Sequence, residues 1–141
     1  PAWDRVHPRT REMERAILDV ATRDPRDGRV MYLDARVTCE LTSDGDRMRA
    51  RARRDGAAAA QSVNEKHVRY PSASIPGVSL VPFVLECGGR PSEDVSALVR
   101  YWGSLGDPTL STPVLWQQLS AALQLGNAEC LLSAVGPRTL R

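Results

Sequence analysis

Two short apolar runs, AILDVA at residues 16–21 and VMYLDARV at residues 30–37, decide the fold of this chain. Each carries one aspartate, Asp19 in the first run and Asp34 in the second, and the segment RDPRDGR at residues 23–29 separates them. Apolar runs of this length predict strands, and Pro, Asp and Gly between them predict a hairpin turn. A turn centred in that segment places Asp19 opposite or diagonal to Asp34, with Cβ atoms about 4.5–5.5 Å apart.

The region that follows the hairpin predicts a helix carrying Lys66, the one lysine among 19 basic residues. Apolar residues at near-helical spacing place Lys66 on or beside their stripe, which predicts that it points toward the protein body or a cleft edge. Arginine stays charged and forks its donors, whereas lysine is a compact point charge whose pKa can be moved. Arg36 shares the polar face of its strand with Asp34, so it competes with Lys66 as the basic partner of the aspartates. The count of basic residues agrees equally with a functional lysine and with a lysine that remains by chance in an arginine-rich sequence.

Two adjacent carboxylates and a basic group are what metal-dependent phosphodiester cleavage needs. Carboxylates bind Mg²⁺ or Mn²⁺, which prefer oxygen ligands, and the metal activates a bound water. Aspartate is depleted in strands, which favours a functional role for Asp19 and Asp34 over a solvent-facing one. Glu86 ends the apolar run VSLVPFVLE and is a candidate third acid, with a solvent-facing position as the equal alternative. Glu12 is a weaker candidate from the first predicted helix.

Positive charge is concentrated in one predicted helix. A basic helix face can contact phosphates without reading base sequence, and the alternative is a solvated charged face. This helix supplies five candidate DNA-contacting residues, Arg47, Arg49, Arg51, Arg53 and Arg54. Arg36 and Arg69, which lie outside it, are further candidates.

Length and composition predict one globular domain, because the chain has 141 residues, 42% of them hydrophobic and 26% charged. A net charge of +2 excludes a polycation, and the lack of an apolar run of about 18 residues predicts no membrane contact. Cys39, Cys87 and Cys130 are widely spaced, which predicts neither a disulfide framework nor a structural zinc site and favours a reducing, intracellular location. The start at Pro1 leads us to expect a piece of a longer polypeptide.

We expect an irregular lead-in and a first helix in residues 1–16, a catalytic core in 17–103 and C-terminal helices in 104–141. The first helix is predicted from Thr10 through about Arg15. The core contains the hairpin, helical segments at 47–54 and 57–70, a strand at 78–86 in which Pro82 indicates a bulge or an edge position, and a helix at 93–102. A helix from Thr112 is expected to end at Gly126-Asn127, before a short helical piece. The predicted class is α/β, with a small mixed sheet flanked by helices.

Four stretches, taken in order with Asp19, resemble a known family: LDARVT at 33–38, NEKHVRY at 64–70, FVLECGG at 83–89 and LSAALQLGNA at 119–128. They resemble the restriction-like, PD-(D/E)xK endonuclease domain at the C-terminal end of site-specific non-LTR retrotransposon proteins and related eukaryotic reverse-transcriptase-like proteins. The resemblance covers residues from about 19 to 132. It implies that the catalytic lysine has migrated from strand to helix, which favours Lys66 over Arg36.

The resemblance also implies a function: a Mg²⁺- or Mn²⁺-dependent endonuclease that nicks nuclear target DNA. The reverse-transcriptase portion of the same polypeptide would then prime synthesis from the free 3′ end. Asp19 and Asp34 would be metal ligands, and Lys66 and Glu86 would complete the catalytic set. The alternatives are a catalytically inactive nucleic-acid-binding module, an interaction domain that docks through its C-terminal helices, and an enzyme acting on branched or RNA substrates.

Overall fold

The computed structural model of the chain describes residues 2–6, 13–70 and 78–135, with side chains for 18–70 and 78–133. Within these ranges the protein is α/β with a small mixed sheet and four α-helices, which confirms the predicted class. It divides into two compact units, Pro1–Ser96 and Ala97–Arg141. The elements in chain order are β1 (Ala2–Val6), β2 (Met13–Ile17), β3 (Val20–Arg23), β4 (Val30–Thr38), α1 (Gly45–Ala52), α2 (Ala57–Arg69), β5 (Val78–Glu86), α3 (Glu93–Gly103), a 3-10 helix (Pro108–Leu110) and α4 (Thr112–Val135).

The central sheet of the first unit has the strand order β3-β4-β5. Strands β3 and β4 form the predicted antiparallel hairpin, and β4 runs parallel to β5. Parallel neighbours require a long crossover connection, and here the crossover contains α1 and α2. Strand β5 is an edge strand of the described sheet, which is why it accommodates Pro82.

The first residues form a separate two-stranded sheet, in which Ala2 pairs with Ile17 and Val6 with Met13. The predicted irregular lead-in is therefore wrong over β1, and the predicted first helix is wrong where it overlaps β2. An isolated helix of about six residues has little stability of its own, so strand pairing wins. The first apolar run is also divided between two strands, because Leu18 and Asp19 belong to neither β2 nor β3.

The two crossover helices begin at well-defined local signals. Asp44 caps α1, since its Oδ1 accepts from the backbone N–H groups of Asp46 and Arg47 at 3.0 and 3.1 Å. Gly56 separates α1 from α2, and its φ of 72° is a left-handed conformation that glycine adopts readily. Alanines, the strongest helix formers, then open α2. The predicted division of this region into two helical segments is thus confirmed.

A small apolar cluster holds the end of α2 over the sheet. Leu18 and Tyr70 are 2% and 5% exposed, and Tyr32 and Leu80 pack against them. Tyr70 directly follows α2, whereas Leu18 precedes Asp19 and Tyr32 lies on the same strand face as Asp34. The cluster therefore fixes the elements that carry both aspartates and Lys66.

In the second unit, Leu115 and Leu123 of α4 are buried. Helix α4 runs unbroken through Gly126 and Asn127, so the predicted helix end there is wrong. A single glycine costs a helix interior only about 1 kcal/mol, which the surrounding leucines and alanines offset. None of the described helices combines the length and the apolar character needed to cross a membrane.

Candidate active site

Asp19 lies beside the part of β4 that carries Asp34, as the hairpin predicts. The last register pair of β3 and β4 joins Val20 to Leu33, so the next position along sets Asp19 against Asp34. The Oδ2 atom of Asp19 accepts a hydrogen bond from the backbone N–H of Ala35 at 2.6 Å. This bond holds the Asp19 carboxylate against β4, next to the residue that carries the second carboxylate.

Lys66 reaches the same place from α2. Its Nζ lies 2.6 Å from Oδ2 of Asp34, and the two side chains are only 10% and 14% exposed. A largely desolvated ion pair interacts more strongly than an exposed one, because water screens it less. Of the two basic residues proposed for this position, Lys66 makes the contact with Asp34.

Arg36 instead pairs with a residue that the sequence did not single out. Its Nη1 lies 2.7 Å from Oε2 of Glu65, while Gln61 donates to Oε1 of Glu65 at 3.0 Å. Arg36 and Glu65 are about half exposed and stand at the mouth of a cavity of about 450 Å³. The cavity is lined by Asp34, Ala35, Arg36, Glu65, Lys66, Arg69 and Tyr70. It therefore combines two acids with three basic side chains.

The Arg36–Glu65 pair predicts a pH-dependent contribution to stability. Hydrogen bonding from Arg36 lowers the pKa of the Glu65 carboxyl, although partial burial opposes the shift. The pair's stabilisation is therefore present above the ordinary glutamate pKa and is lost as pH falls through the lowered value. We expect Glu65→Gln to lower the free energy of unfolding by about 0.5 kcal/mol at neutral pH, because the pair is exposed. Urea unfolding at decreasing pH should show this difference vanish.

The control for that measurement is Glu65→Gln made in an Arg36→Gln background. With the guanidinium already absent, the second substitution should change stability little at any pH. An equal effect in both backgrounds would mean that Arg36 is not the group responsible.

Glu86 does not join this cavity. In the parallel β4–β5 register, Glu86 pairs with Thr38 whereas Asp34 pairs with Pro82, four residues earlier and so about 13 Å along the strand. Glu86 is 4% exposed, and its Oε1 accepts from the backbone N–H of Ala59 at 3.0 Å, in the first turn of α2. Glu86 thus caps α2, whose own N-cap residue is a glycine without a side chain. The prediction that it reaches the aspartates is corrected by this placement.

The arginine cluster is divided between surface and structural positions. Arg47 forms an exposed ion pair with Asp44, the N-cap residue of α1, and Arg49 forms one with Asp46 within the helix. Arg53 and Arg54 are exposed. Arg51 turns inward, where its Nη1 donates to the carbonyl oxygen of Cys39 at 2.9 Å and its Nη2 donates to Gln61. These bonds give Arg51 a structural role, and its contact with DNA stays a prediction.

Two candidate residues remain, Arg69 and Glu12. Arg69 lines the cavity and stacks on Tyr70, with its guanidinium carbon 5.5 Å from the ring centroid. Glu12 lies outside the described residues. A larger cavity of about 680 Å³ is lined by residues including Glu40, Glu86 and Arg90, and neither Asp34 nor Lys66 belongs to its lining.

Comparisons of the chain with models of known protein families, with curated proteins and with solved structures give no match. Function is therefore inferred from the residues of the site itself.

Proposed function

We propose that this protein is a metal-dependent DNA endonuclease with a restriction-like, PD-(D/E)xK core. The observation that carries the proposal is the contact between Lys66 Nζ and Asp34 Oδ2 beside Asp19. Two carboxylates can hold a metal ion that activates a bound water for phosphodiester hydrolysis, and an ammonium group beside them can contact the phosphate or the water. The order of the elements agrees with the resemblance of LDARVT and NEKHVRY to that family.

The donor set fits Mg²⁺ or Mn²⁺. Asp19 and Asp34 offer only oxygen, and Mg²⁺ is typically bound by one or two carboxylates while keeping several waters. One oxygen of each carboxylate is held, by Ala35 N–H and by Lys66, so the second oxygen of each is the atom that would bind the ion. When bound, the metal would supply a water of lowered pKa and neutralise charge on the phosphate.

The chain's own residues would bind and orient the substrate. Lys66 is a compact charge that can contact a phosphate oxygen or hold the attacking water, while Asp34 fixes its position. Arg36 and Arg69 at the cavity mouth are suited to the flanking phosphates, since forked guanidinium groups bind phosphate oxygens in pairs. Glu65 would keep Arg36 from folding back onto Asp34. The exposed arginines of α1, Arg47 and Arg49, would add contacts that do not depend on base sequence.

The biological setting that we propose rests on the resemblance alone. Nicking of a nuclear target site would provide a 3′ end for a reverse-transcriptase portion of the same polypeptide. The competing function is a binding module with the same residues but no cleavage.

Nicking of supercoiled plasmid tests the proposal. We expect the protein to convert supercoiled DNA to open circles with Mg²⁺ or Mn²⁺ and not with a chelator, and Asp34→Ala to lose this activity. Asp46→Asn is the matched control, because it removes an exposed carboxylate that is not part of the cavity lining. If wild type and Asp34→Ala both bind DNA with a steep salt dependence and neither nicks it, the protein is a binding module.

A further inference from the structure

A second cluster of metal-binding side chains lies at the carboxyl ends of the two parallel strands. Strands β4 and β5 end at Thr38 and Glu86, which are register partners. The backbone N–H of Cys87 donates to the carbonyl oxygen of Thr38 at 2.9 Å and continues the pairing by one residue. Cys39 and Cys87, 48 positions apart in sequence, therefore meet at the strand ends.

Glu40 completes the cluster from the same loop. One ligand atom from each of Cys39, Glu40 and Cys87 lies within 4.8 Å of the others. Glu40 is held in place because its Oε1 accepts from the backbone N–H of Gly88 at 3.0 Å. A Cβ at Gly88 would stand 3.0 Å from that same oxygen, so glycine lets the carboxylate approach the backbone this closely.

The loop that carries Cys39 and Glu40 is fixed from its other side. Arg51 donates through Nη1 to the carbonyl oxygens of both residues, at 2.9 and 3.4 Å. Hydrogen bonds thus position the backbone of Cys39 and Glu40 and that of Cys87. Rotation of the three side chains would bring their ligand atoms onto one ion. Burial and the neighbouring Cys39 sulfur raise the pKa of the Cys87 thiol, and the negative charge of Glu40 adds to this effect.

We propose that Cys39, Cys87 and Glu40 bind a borderline-soft divalent cation of the Zn²⁺ class, at a site separate from the Asp19–Asp34 pair. Thiolates select zinc over Mg²⁺ and Mn²⁺, and zinc accepts a carboxylate oxygen as a further ligand. Tetrahedral zinc, with bonds of about 2.0–2.3 Å, brings its ligand atoms about 3.3–3.8 Å apart, within reach of the observed spacing. A water would occupy the fourth position.

The bound ion would join the end of β4 to the end of β5. It would also hold the loop that leads from β4 into α1. The site does not depend on the proposed nuclease activity, since it shares no residue with the cavity around Asp34.

Titration of the reduced, metal-stripped full chain with Co²⁺ tests the site. Cobalt bound to thiolates gives a charge-transfer absorption in the near ultraviolet, and we expect one equivalent per chain, displaced by Zn²⁺. Cys39→Ser and Cys87→Ser should each weaken binding by at least about 100-fold, since even the loss of residues that only support ligands costs about 10–100-fold. Glu40→Gln should retain the thiolate absorption with weaker binding.

Two controls make the result specific. Cys130→Ser changes an exposed cysteine of α4, and Asp46→Asn changes an exposed carboxylate that belongs to neither site, so both should give the thiolate absorption of the wild type. Circular dichroism checks the fold of each variant, and Cys39→Ser alters an exposed side chain, so it remains usable if Cys87→Ser does not fold. The proposal is overturned if the reduced wild type shows no thiolate absorption, if the absorption survives Cys39→Ser, or if the two cysteines only form a disulfide.

Discussion

Asp34→Asn and Lys66→Met should each slow metal-dependent nicking by about three orders of magnitude, equivalent to about 4 kcal/mol of lost transition-state stabilisation. Their side chains touch at 2.6 Å, so they would act on the same phosphate as a unit. Residues that act as a unit show effects that do not add. The double variant should therefore nick no more slowly than either single variant.

Stability gives an independent measurement on the same three variants. Lys66→Met leaves the Asp34 carboxylate largely buried without its partner, and we expect the free energy of unfolding to fall by about 2–4 kcal/mol. The double variant should regain most of this loss, because a neutral pair leaves no unpaired charge. Urea unfolding of the two single variants and the double variant completes the cycle.

Arg36→Gln is the matched control for both measurements. Arg36 lies on the same cavity but pairs with Glu65, so its loss should reduce nicking by no more than about tenfold. A loss as large as that of Lys66→Met would assign the contact with the phosphate or the attacking water to Arg36 on β4 instead. Full nicking activity and unchanged stability in Lys66→Met would mean that Lys66 contributes neither to catalysis nor to the stability of the fold.

Glu86→Ala should lower the free energy of unfolding by about 2–3 kcal/mol and leave the nicking rate of the folded protein unchanged. The substitution removes the acceptor for the Ala59 N–H at the start of α2, and a buried donor without a partner is costly. Glu86→Gln keeps an acceptor oxygen and loses only the charge near the helix N-terminus, so about 1 kcal/mol is expected. Unfolding curves and nicking, measured well below the unfolding transition, separate the two effects.

The contrary result for Glu86 is equally clear. If Glu86→Gln were stable but nicked as slowly as Asp34→Asn, Glu86 would act on the substrate or its metal. The placement of its carboxylate against Ala59 would then describe a resting arrangement only.

The parts of the site that follow from local sequence were predictable. Turn residues between two apolar runs predicted the hairpin, and the pairing of its strands brings Asp19 to the part of β4 that carries Asp34. The helical spacing around Lys66 indicated that it faces the protein body, where it is 8% exposed. Those features depend on neighbours close in sequence.

The features that the sequence analysis missed depend on pairings between distant segments. The position of Glu86 requires both the parallel register of β4 with β5 and the direction of α2. The meeting of Cys39 with Cys87 requires the same register, and no local pattern marks it. The signal that was available is that each cysteine lies within two residues of the end of a predicted strand, which is informative once the two strands are known to be parallel.

Helix α2 also sets which changes in chain length the site can tolerate. It touches β5 through Ala59 at one end and β4 through Lys66 at the other, a separation of seven residues, or about 10 Å along the helix axis. One residue inserted between those contacts would rotate the lysine by about 100° relative to the cap and turn it away from Asp34. The β3–β4 turn is under no such constraint, because extra residues in a surface turn do not rotate the side chains of the paired strands. Length variation among relatives of this protein should therefore collect in the hairpin turn and be excluded from the middle of α2.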